Sequence, residues 1–221
     1  GKSSALRTIV SALALRHDPQ AARFYVIDLG GGQLASLERL PHVAGVAGRE
    51  EGEKVRRIVD EVAGFIRRPE RCATFLVIDG WHHIGTSNAE FEDIAEKVTE
   101  IVADGASAHV HVVIATSRWT TMRPAIRDLI ANRLELRLGE ALDSLIDRKL
   151  QQKLPSALGR GLTLAGENML LARTSNQDIA HICRVHAAAD PVPQLKMLPA
   201  VLTPAALAAQ GDVPALSLIH I

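Results

Sequence analysis

The sequence predicts an α/β domain in which a mostly parallel sheet is flanked by helices. Apolar runs of strand length occur at residues 24–29, 74–79 and 109–116. Between them lie segments whose apolar residues recur three and four positions apart, which is the spacing of an amphipathic helix. Strands that alternate with helices usually pair in parallel through right-handed crossovers. The 221 residues are enough for one domain with a substantial core and an extension.

The composition excludes several classes of protein. Lys and Arg together number 25, as do Asp and Glu, so the formal net charge is zero and no strongly basic nucleic-acid surface is expected. Two cysteines, Cys72 and Cys183, are too few for a disulfide framework or a metal quartet, and we expect reduced thiols. No apolar run reaches the ~18 residues of a membrane span, and no signal peptide is evident. We therefore expect a soluble, cytosolic piece.

The central apolar run, residues 74–79, ends in Asp79 and is followed by Gly80. Ligands of parallel α/β sheets bind at the C-terminal edge of the strands, where this carboxylate would lie. An aspartate at that place can orient the magnesium ion that bridges the phosphates of a nucleotide. The alternative is a polar residue that merely ends a buried strand.

The first four residues, Gly1-Lys2-Ser3-Ser4, match the end of a Walker A loop. Residues 3–16 carry an apolar stripe and predict a helix whose N-terminus would face the phosphates. Lys2 would contact the β- and γ-phosphates, and the Ser3 hydroxyl would ligate magnesium. The strand and first glycine of such a loop would lie upstream, so we expect the sequence to begin inside the motif. With Asp79 this predicts a RecA-like P-loop fold; an ordinary Gly-Lys-Ser before a helix is the alternative.

Further elements follow from the same patterns. Gly30-Gly31-Gly32 predicts a turn at the sheet edge. Thr116 and Ser117 end the third strand, where a group that senses the γ-phosphate would lie. The other predicted elements are helices at 50–67, 88–104, 123–131, 142–150 (with Leu145 and Ile146 inward) and 176–186, a fourth strand at 133–138, and a hairpin of 162–164 with 169–172.

We expect neither of two histidine pairs to bind a metal, and we expect a structural role for the second pair. His82 and His83 fall in a predicted solvated loop, and His109 and His111 lie at the start of a strand, away from the ligand edge.

For the chain as a whole we expect one domain over 1–188, a Pro-rich linker over 189–206 towards a missing next domain, and a tail over 207–221. The last six residues of this tail resemble translated adapter sequence.

Several motifs agree in order and spacing with one family, the FtsK/SpoIIIE superfamily of ring-forming motor ATPases. Within it, the chain resembles the second ATPase domain of EccC, the motor of actinobacterial type VII secretion. The resemblance runs from Gly1 to about Pro199. The residues that carry it are Asp28-Leu29-Gly30-Gly31-Gly32-Gln33-Leu34, Leu40-Pro41-His42-Val43, Val77-Ile78-Asp79-Gly80-Trp81, residues 132–138, residues 143–149, Leu154-Pro155 and Gly159-Arg160-Gly161.

This resemblance implies ATP and Mg²⁺ as cofactors. Gly1, Lys2, Ser3 and Ser4 would hold the nucleotide and the metal, and Asp79 would be the Walker B carboxylate. Ring ATPases also complete a neighbour's site with an arginine finger. Arg133 and Arg137 are candidates for that role, and surface salt bridges are the alternative.

One position departs from the family pattern. Motor members have glutamate after the Walker B aspartate to polarise the attacking water, whereas this chain has Gly80. Loss of such a base typically lowers the rate by a factor of about 10²–10⁴. The first hypothesis is therefore an ATP-binding module with weak or no hydrolysis and a regulatory or scaffolding role. An active ATPase that drives protein translocation is the second hypothesis, and an FtsK-like DNA translocase, disfavoured by the neutral charge, is the third.

The resemblance also implies partners and a location. These are neighbouring ATPase domains of the same chain, membrane components of the secretion system, WXG-type helical-hairpin substrates and a ring oligomer. The full-length protein would lie at the cytoplasmic face of the plasma membrane. Trp81 and Trp119 both follow strands at the same sheet edge, and we expect one or both to line a partner contact. On that expectation, Trp81→Ala would weaken a partner or linker interaction and leave the fold intact; ordinary loop packing is the alternative.

Overall fold

The computed structural model describes residues 1–85 and 91–197, and these form two sheets with helices on both faces of the larger one. Single 3₁₀ turns connect several of the elements. The helices and strands in chain order are α1 (Lys2–Arg16), β1 (Ala22–Asp28), β2 (Val43–Gly48), α2 (Gly52–Arg67), β3 (Ala73–Asp79), α3 (His82–Gly85), α4 (Glu92–Asp104), β4 (Val110–Ala115), α5 (Pro124–Arg127), β5 (Leu134–Leu136), α6 (Arg148–Lys153), β6 (Arg160–Thr163), β7 (Asn168–Leu170) and α7 (Asn176–Val185).

The larger sheet has four parallel strands in the order β2-β1-β3-β4. Its register places Asp28 of β1 opposite Asp79 of β3, and Asp79 opposite Ala115 of β4. The strand ends that carry polar residues therefore meet at one edge, as the sequence predicts. The alternating βα order and the parallel pairing confirm the predicted α/β class.

Both faces of the sheet are covered because its strands are apolar on both sides. Phe24 and Val26 of β1 pack with α1 and α7, whereas Tyr25 and Ile27 pack with α2 and α4. Every residue of β1 is buried. A continuous apolar run, without the alternation of a half-exposed strand, is the pattern expected of such a central strand.

Two predictions for residues 133–150 are wrong. Residues 133–138 contribute only the three-residue strand β5, which pairs antiparallel with β6 and does not extend the parallel sheet. The β6–β7 hairpin is confirmed. The predicted helix over 142–150 is wrong: α6 begins at Arg148, where the Asp147 side chain accepts hydrogen bonds from the amides of Lys149 and Leu150. Leu145 is half exposed and does not point inward.

Other differences are smaller. Strand β2 has no counterpart among the predicted strands. His82 and His83 begin the one-turn helix α3 and do not lie in an extended loop. The helix predicted at 123–131 is confined to Pro124–Arg127, and α4 begins at Glu92, with residues 88–90 of the predicted helix outside the described part of the chain.

Residues 190–197 lie along β2 and cover its outer edge. The amide of Val192 donates to the carbonyl of Pro41 at 2.9 Å, and the amide of Leu195 donates to the carbonyl of Ala44 at 2.8 Å. The first part of the predicted linker is therefore attached to the domain. The limits of 1–188, 189–206 and 207–221 stay predictions, and residues 198–221 lie outside the described residues.

Trp81 is a core residue, so the expectation that it lines a partner contact is wrong. It is 2% exposed and lies within the same apolar cluster as α2 and α4. Among the helices of residues 1–85 and 91–197, none is both long and apolar enough to cross a bilayer.

His42 connects three elements at the opposite edge of the sheet from Asp79. Its side chain is fully buried, and its Nε2–H donates to the carbonyl of His17 at the end of α1 at 2.8 Å. The ring of His186, which follows α7, meets it edge-on at 4.6 Å between centroids. Burial is the main cause that lowers the pKa of His42, and the nearby His186 lowers it further, although the hydrogen bond to His17 opposes this.

Replacing Trp81 with alanine is expected to lower the free energy of unfolding by about 3–5 kcal/mol, because it empties a large core site. Trp81→Phe is the matched control. It keeps much of the volume, and it loses no hydrogen bond because the Trp81 Nε1 has no partner among the described residues. Urea denaturation followed by circular dichroism measures both. An alanine variant as stable as the phenylalanine variant would show that the site is not tightly packed.

Stability is expected to fall as the pH drops below about 6.5, the ordinary pKa of histidine. With a lowered pKa in the folded chain, His42 binds a proton more readily in the unfolded chain, so acid favours unfolding. The contribution is fully present above pH 6.5 and is lost as the pH falls towards the folded-state pKa. Denaturation midpoints between pH 7.5 and 5 measure it, and His42→Gln should flatten the curve. An unchanged slope in that variant would assign the proton uptake to another group.

Candidate functional site

The buried carboxylate of Asp79 is the centre of the candidate site. It ends β3, is 2% exposed, and its carbonyl accepts a hydrogen bond from the Leu29 amide at 3.0 Å. Its Oδ2 atom is buried and has no hydrogen-bond partner within residues 1–85 and 91–197. Burial of a charged oxygen without a partner is costly unless a cation or a donor compensates it. The environment of Asp79 therefore fits a carboxylate directed at a metal ion.

Asp28, at the end of the neighbouring strand, has a different environment although it is also buried. Its Oδ1 accepts the Gly30 amide at 3.2 Å, and its Oδ2 accepts the Leu34 amide at 2.7 Å. These bonds close the turn predicted at the glycine triplet. Gly31 and Gly32 have φ values of 118° and 77°, in the left-handed region that side chains disfavour.

Gly80 occupies a backbone position at which any side chain would be strained. Its φ is 80°, and a Cβ atom there would lie 3.0 Å from both the Gly30 nitrogen and the Leu29 carbonyl carbon. The amides of Gly80 and Trp81 both donate to the carbonyl of Ala115, at 3.2 and 3.0 Å, and fix this conformation. Glutamate at this position would therefore require a different path of the backbone.

The N-terminus of α1 provides free amides. Gly1 caps the helix without a side-chain hydrogen bond, and the first turn contains no acidic residue. Lys2 is exposed, and Ser3 and Ser4 are partly buried. Unpaired amides at the start of a 15-residue helix favour an anion. No hydrogen bond joins Ser3 to Asp79 in the part of the chain described, so the structure does not bring these two together directly.

A cavity of about 510 Å³ lies between α1, β4 and β5. Five predicted site residues line it: Lys2, Thr116, Ser117, Arg133 and Arg137. Asp79, Gly1, Ser3 and Ser4 do not. One wall is formed by residues 112–115 of β4, which pairs only with β3 among the described strands, so its other edge faces the cavity.

Neither candidate arginine finger forms a salt bridge with a described carboxylate, so the salt-bridge alternative is wrong for this part of the chain. Arg133 is half buried, donates to the Arg127 carbonyl at 3.2 Å and lies 5.5 Å from the centre of the Trp119 ring. Arg137 is exposed and donates to the Ser156 hydroxyl at 3.2 Å. Both guanidinium groups keep donors for a further acceptor.

Glu135 is a further residue of the cavity wall that the sequence analysis does not identify. It is 2% exposed, and it accepts hydrogen bonds from neutral groups only. The donors are the Trp119 indole (2.9 Å), the Leu145 amide (2.8 Å), the Ser144 hydroxyl (2.7 Å) and the Gln151 amide group (3.2 Å). The single available signal was a lone carboxylate within an apolar run.

Thr116 closes a local turn at the rim of the cavity. Its hydroxyl forms a hydrogen bond of 2.7 Å with the hydroxyl of Thr121. It also lies 3.2 Å from the carbonyl oxygen of Arg118, to which it can donate. Trp119 follows on this turn, is partly buried against the core, and donates its indole N–H to Glu135. Of the two tryptophans, Trp119 is therefore the one that remains partly accessible.

Comparison with known proteins gives one consistent result. The profile of the FtsK/SpoIIIE family matches residues 1–193. The ESX-4 secretion system protein EccC4 of Mycobacterium tuberculosis is 36% identical over an alignment that covers 90% of this chain and 18% of that protein. The ESX-1 secretion system protein EccCb1 of the same organism is 34% identical, with 77% of this chain and 33% of that protein covered. The chain thus spans a third or less of these two relatives.

Solved structures agree with the sequence comparison. The cytoplasmic domain of the Thermomonospora curvata type VII secretion ATPase EccC superposes with a TM-score of 0.85 at 34% identity, over 98% of this chain and 29% of that one. A structure of ATPases 2 and 3 of the same EccC, in complex with a signal sequence peptide, gives a TM-score of 0.85 at 32% identity, over 98% and 45%. The fold is that of a P-loop ATPase domain, and the chain belongs to the FtsK/SpoIIIE family, with EccC proteins of type VII secretion among its relatives.

Proposed function

We propose that this chain is an ATP-binding module of a type VII secretion motor that hydrolyses ATP weakly or not at all and regulates or scaffolds its active neighbours. The observation that carries the proposal is the conformation of Gly80. The left-handed backbone and the 3.0 Å approach of a Cβ atom to Leu29 and Gly30 disfavour the water-polarising glutamate of motor members.

The remaining site residues support binding. The free amides of α1 and the Lys2 ammonium would hold the phosphates, and Ser3 with Asp79 would hold Mg²⁺. Bound Mg²⁺ bridges the phosphate oxygens and neutralises their charge. Thr116 and Ser117 follow the neighbouring strand and would contact the terminal phosphate. The unpartnered Oδ2 of Asp79 is the atom in this set that most requires a cation.

We further propose that the cavity beside β4 takes the strand that leads into the P-loop. Residues 112–115 are apolar yet only partly buried, unlike the fully buried β1, and their outer edge faces the cavity. A parallel strand there would continue the sheet and would arrive beside Lys2. Its opposite side would face β5, close to Arg133 and Arg137.

The partners follow from the relatives and belong to the same proposal. The solved structure of Thermomonospora curvata EccC contains a signal sequence peptide. We propose neighbouring ATPase domains, membrane components and WXG-type helical-hairpin substrates for this chain, with a ring oligomer at the cytoplasmic face of the plasma membrane. Arg133 and Arg137, which have no carboxylate partner among the described residues, are the candidate fingers towards a neighbouring site. The neutral net charge disfavours DNA as a partner.

In the full-length protein, Lys2→Ala is expected to remove one Mg²⁺-dependent bound ATP per chain and to leave the rate of hydrolysis nearly unchanged. The lysine supplies charge for phosphate binding, but the site lacks a base for hydrolysis. Equilibrium dialysis with labelled ATP gives the stoichiometry, and phosphate release gives the rate. The control is Lys153→Ala, an exposed lysine at the end of α6, outside the cavity. A large fall in hydrolysis would support the active ATPase instead, and unchanged stoichiometry would refute nucleotide binding here.

Gly80→Ala and Gly80→Glu are each expected to lower the free energy of unfolding by about 1–3 kcal/mol, and neither should increase ATP hydrolysis. A side chain in left-handed backbone is strained, and its Cβ would press on the Gly30 nitrogen. Urea denaturation of the chain and phosphate release measure the two effects. Gly64→Ala is the control, because Gly64 lies inside α2 with open space around its Cβ position. A Gly80→Glu variant that is stable and hydrolyses ATP would overturn the argument.

A further inference from the structure

We propose that the turn formed by residues 28–34, called the Asp28 turn, positions the carboxylate of Asp79 for the metal ion, with Asp28 and Gly30 as positioning residues. The inference rests on the proposed Mg²⁺–nucleotide function and adds a role for residues outside the Walker motifs. It is carried by contacts between the Asp28 turn and the end of β3.

Asp28 and Asp79 lie opposite each other on adjacent strands, but their side chains have different hydrogen-bond partners. Both oxygens of Asp28 accept backbone amides of its own turn, from Gly30 and Leu34. The Oδ2 of Asp79 has no such donor in the described chain. Both oxygens of Asp28 therefore stabilise the turn, whereas the Oδ2 of Asp79 can accept a bond from a ligand.

The Asp28 turn is attached to β3 at the position of Asp79. The Leu29 amide donates to the Asp79 carbonyl at 3.0 Å, one residue beyond the paired part of β1. Gly30 then lies directly against the Asp79 side chain: a Cβ atom on Gly30 would be 2.6 Å from Oδ2 and 2.8 Å from Cγ. The backbone of Gly30 thus forms one wall of the space that the carboxylate occupies.

The glycine at position 30 is needed for this contact and not for the turn conformation. Gly31 and Gly32 have positive φ values, whereas Gly30 does not, so alanine is conformationally allowed at 30. The obstacle to alanine is the carboxylate of Asp79 itself. Alanine would displace the end of a side chain that is 2% exposed and has little free space.

Gly30→Ala in the full-length protein is therefore expected to weaken Mg²⁺-dependent ATP binding by about 10–100-fold, the usual effect of losing a group that orients a metal ligand. ATP binding at the Lys2-dependent site in EDTA should change little, because the phosphates still meet α1 and Lys2. Calorimetric titration with ATP, in Mg²⁺ and in EDTA, with Lys2→Ala as the blank, separates the two. A structural role alone would weaken both equally.

Gly31→Ala is the matched control. It strains the same turn through its φ of 118°, but a Cβ atom there has nothing within 4 Å and does not approach Asp79. It should speed hydrogen exchange in the turn, but it should not selectively weaken Mg²⁺-dependent ATP binding. Asp28→Asn, which replaces one acceptor oxygen with an amide group, should weaken Mg²⁺-dependent binding in the same direction as Gly30→Ala.

A ligand-free measurement tests the contact itself. Hydrogen exchange of peptides from residues 22–34 and 73–80 should be faster in Gly30→Ala than in the parent protein, and the increase should disappear when Asp79→Ala removes the carboxylate. Two results would overturn the positioning role. One is Mg²⁺-dependent ATP binding that is unchanged in Gly30→Ala, and the other is hydrogen-exchange effects of Gly30→Ala and Asp79→Ala that simply add. Absence of Lys2-dependent ATP binding in the parent protein would instead refute the proposed function, while the exchange experiment would still test the contact.

Discussion

The structure at the ligand edge depends on a backbone contact between the ends of β1 and β3. The Leu29 amide bonds to the Asp79 carbonyl, and the backbones of Gly30 and Gly80 approach so closely that neither tolerates a Cβ atom without displacement. Because no side chain separates the two turns, their relative position is fixed by main-chain atoms. The same contact that places the Asp79 carboxylate also strains any side chain at the next position. The position of Asp79 and the strain on a side chain at position 80 therefore have one physical cause.

Comparison of three buried carboxylates shows why Asp79 stands apart. Asp28 is satisfied by two amides of its own turn, and Glu135 by four neutral donors around it. These two carboxylates shape the backbone, since each organises a loop that lacks regular structure. Asp79 is as deeply buried, but one of its oxygens has no donor in the described chain. The free energy cost of such an oxygen is offset when a cation binds, which is consistent with a nucleotide–metal role for this edge of the sheet.

The sequence predicted the elements whose conformation is set by neighbouring residues and missed those that depend on distant segments. Continuous apolar runs identified β1, β3 and β4. The helix predicted at 176–186 is α7, which begins at Asn176 after a capping box formed by Ser175 and Asp178. Strand β2 was missed because it is built from valine, alanine and glycine, and it is held partly by a distant segment: a Cβ on Gly45 would lie 3.3 Å from the Cβ of Leu195. The wrong helix over 142–150 has a similar cause. The apolar spacing there is helical, but Glu135 holds Ser144 and the Leu145 amide in another conformation.

The sequence suggested candidate site residues one by one but not their arrangement. Lys2, Thr116, Ser117, Arg133 and Arg137 come from three separate segments, and they meet at one cavity because α1, β4 and β5 line it together. Glu135 forms the link, because it joins β5 to the turn that carries Trp119 and to the segment that precedes α6. A strand placed against β4 would therefore touch Lys2, the lysine proposed to bind phosphate, on one side and the wall that carries both arginines on the other. Through this cavity, the proposed strand would connect the proposed nucleotide site with the arginine-bearing surface.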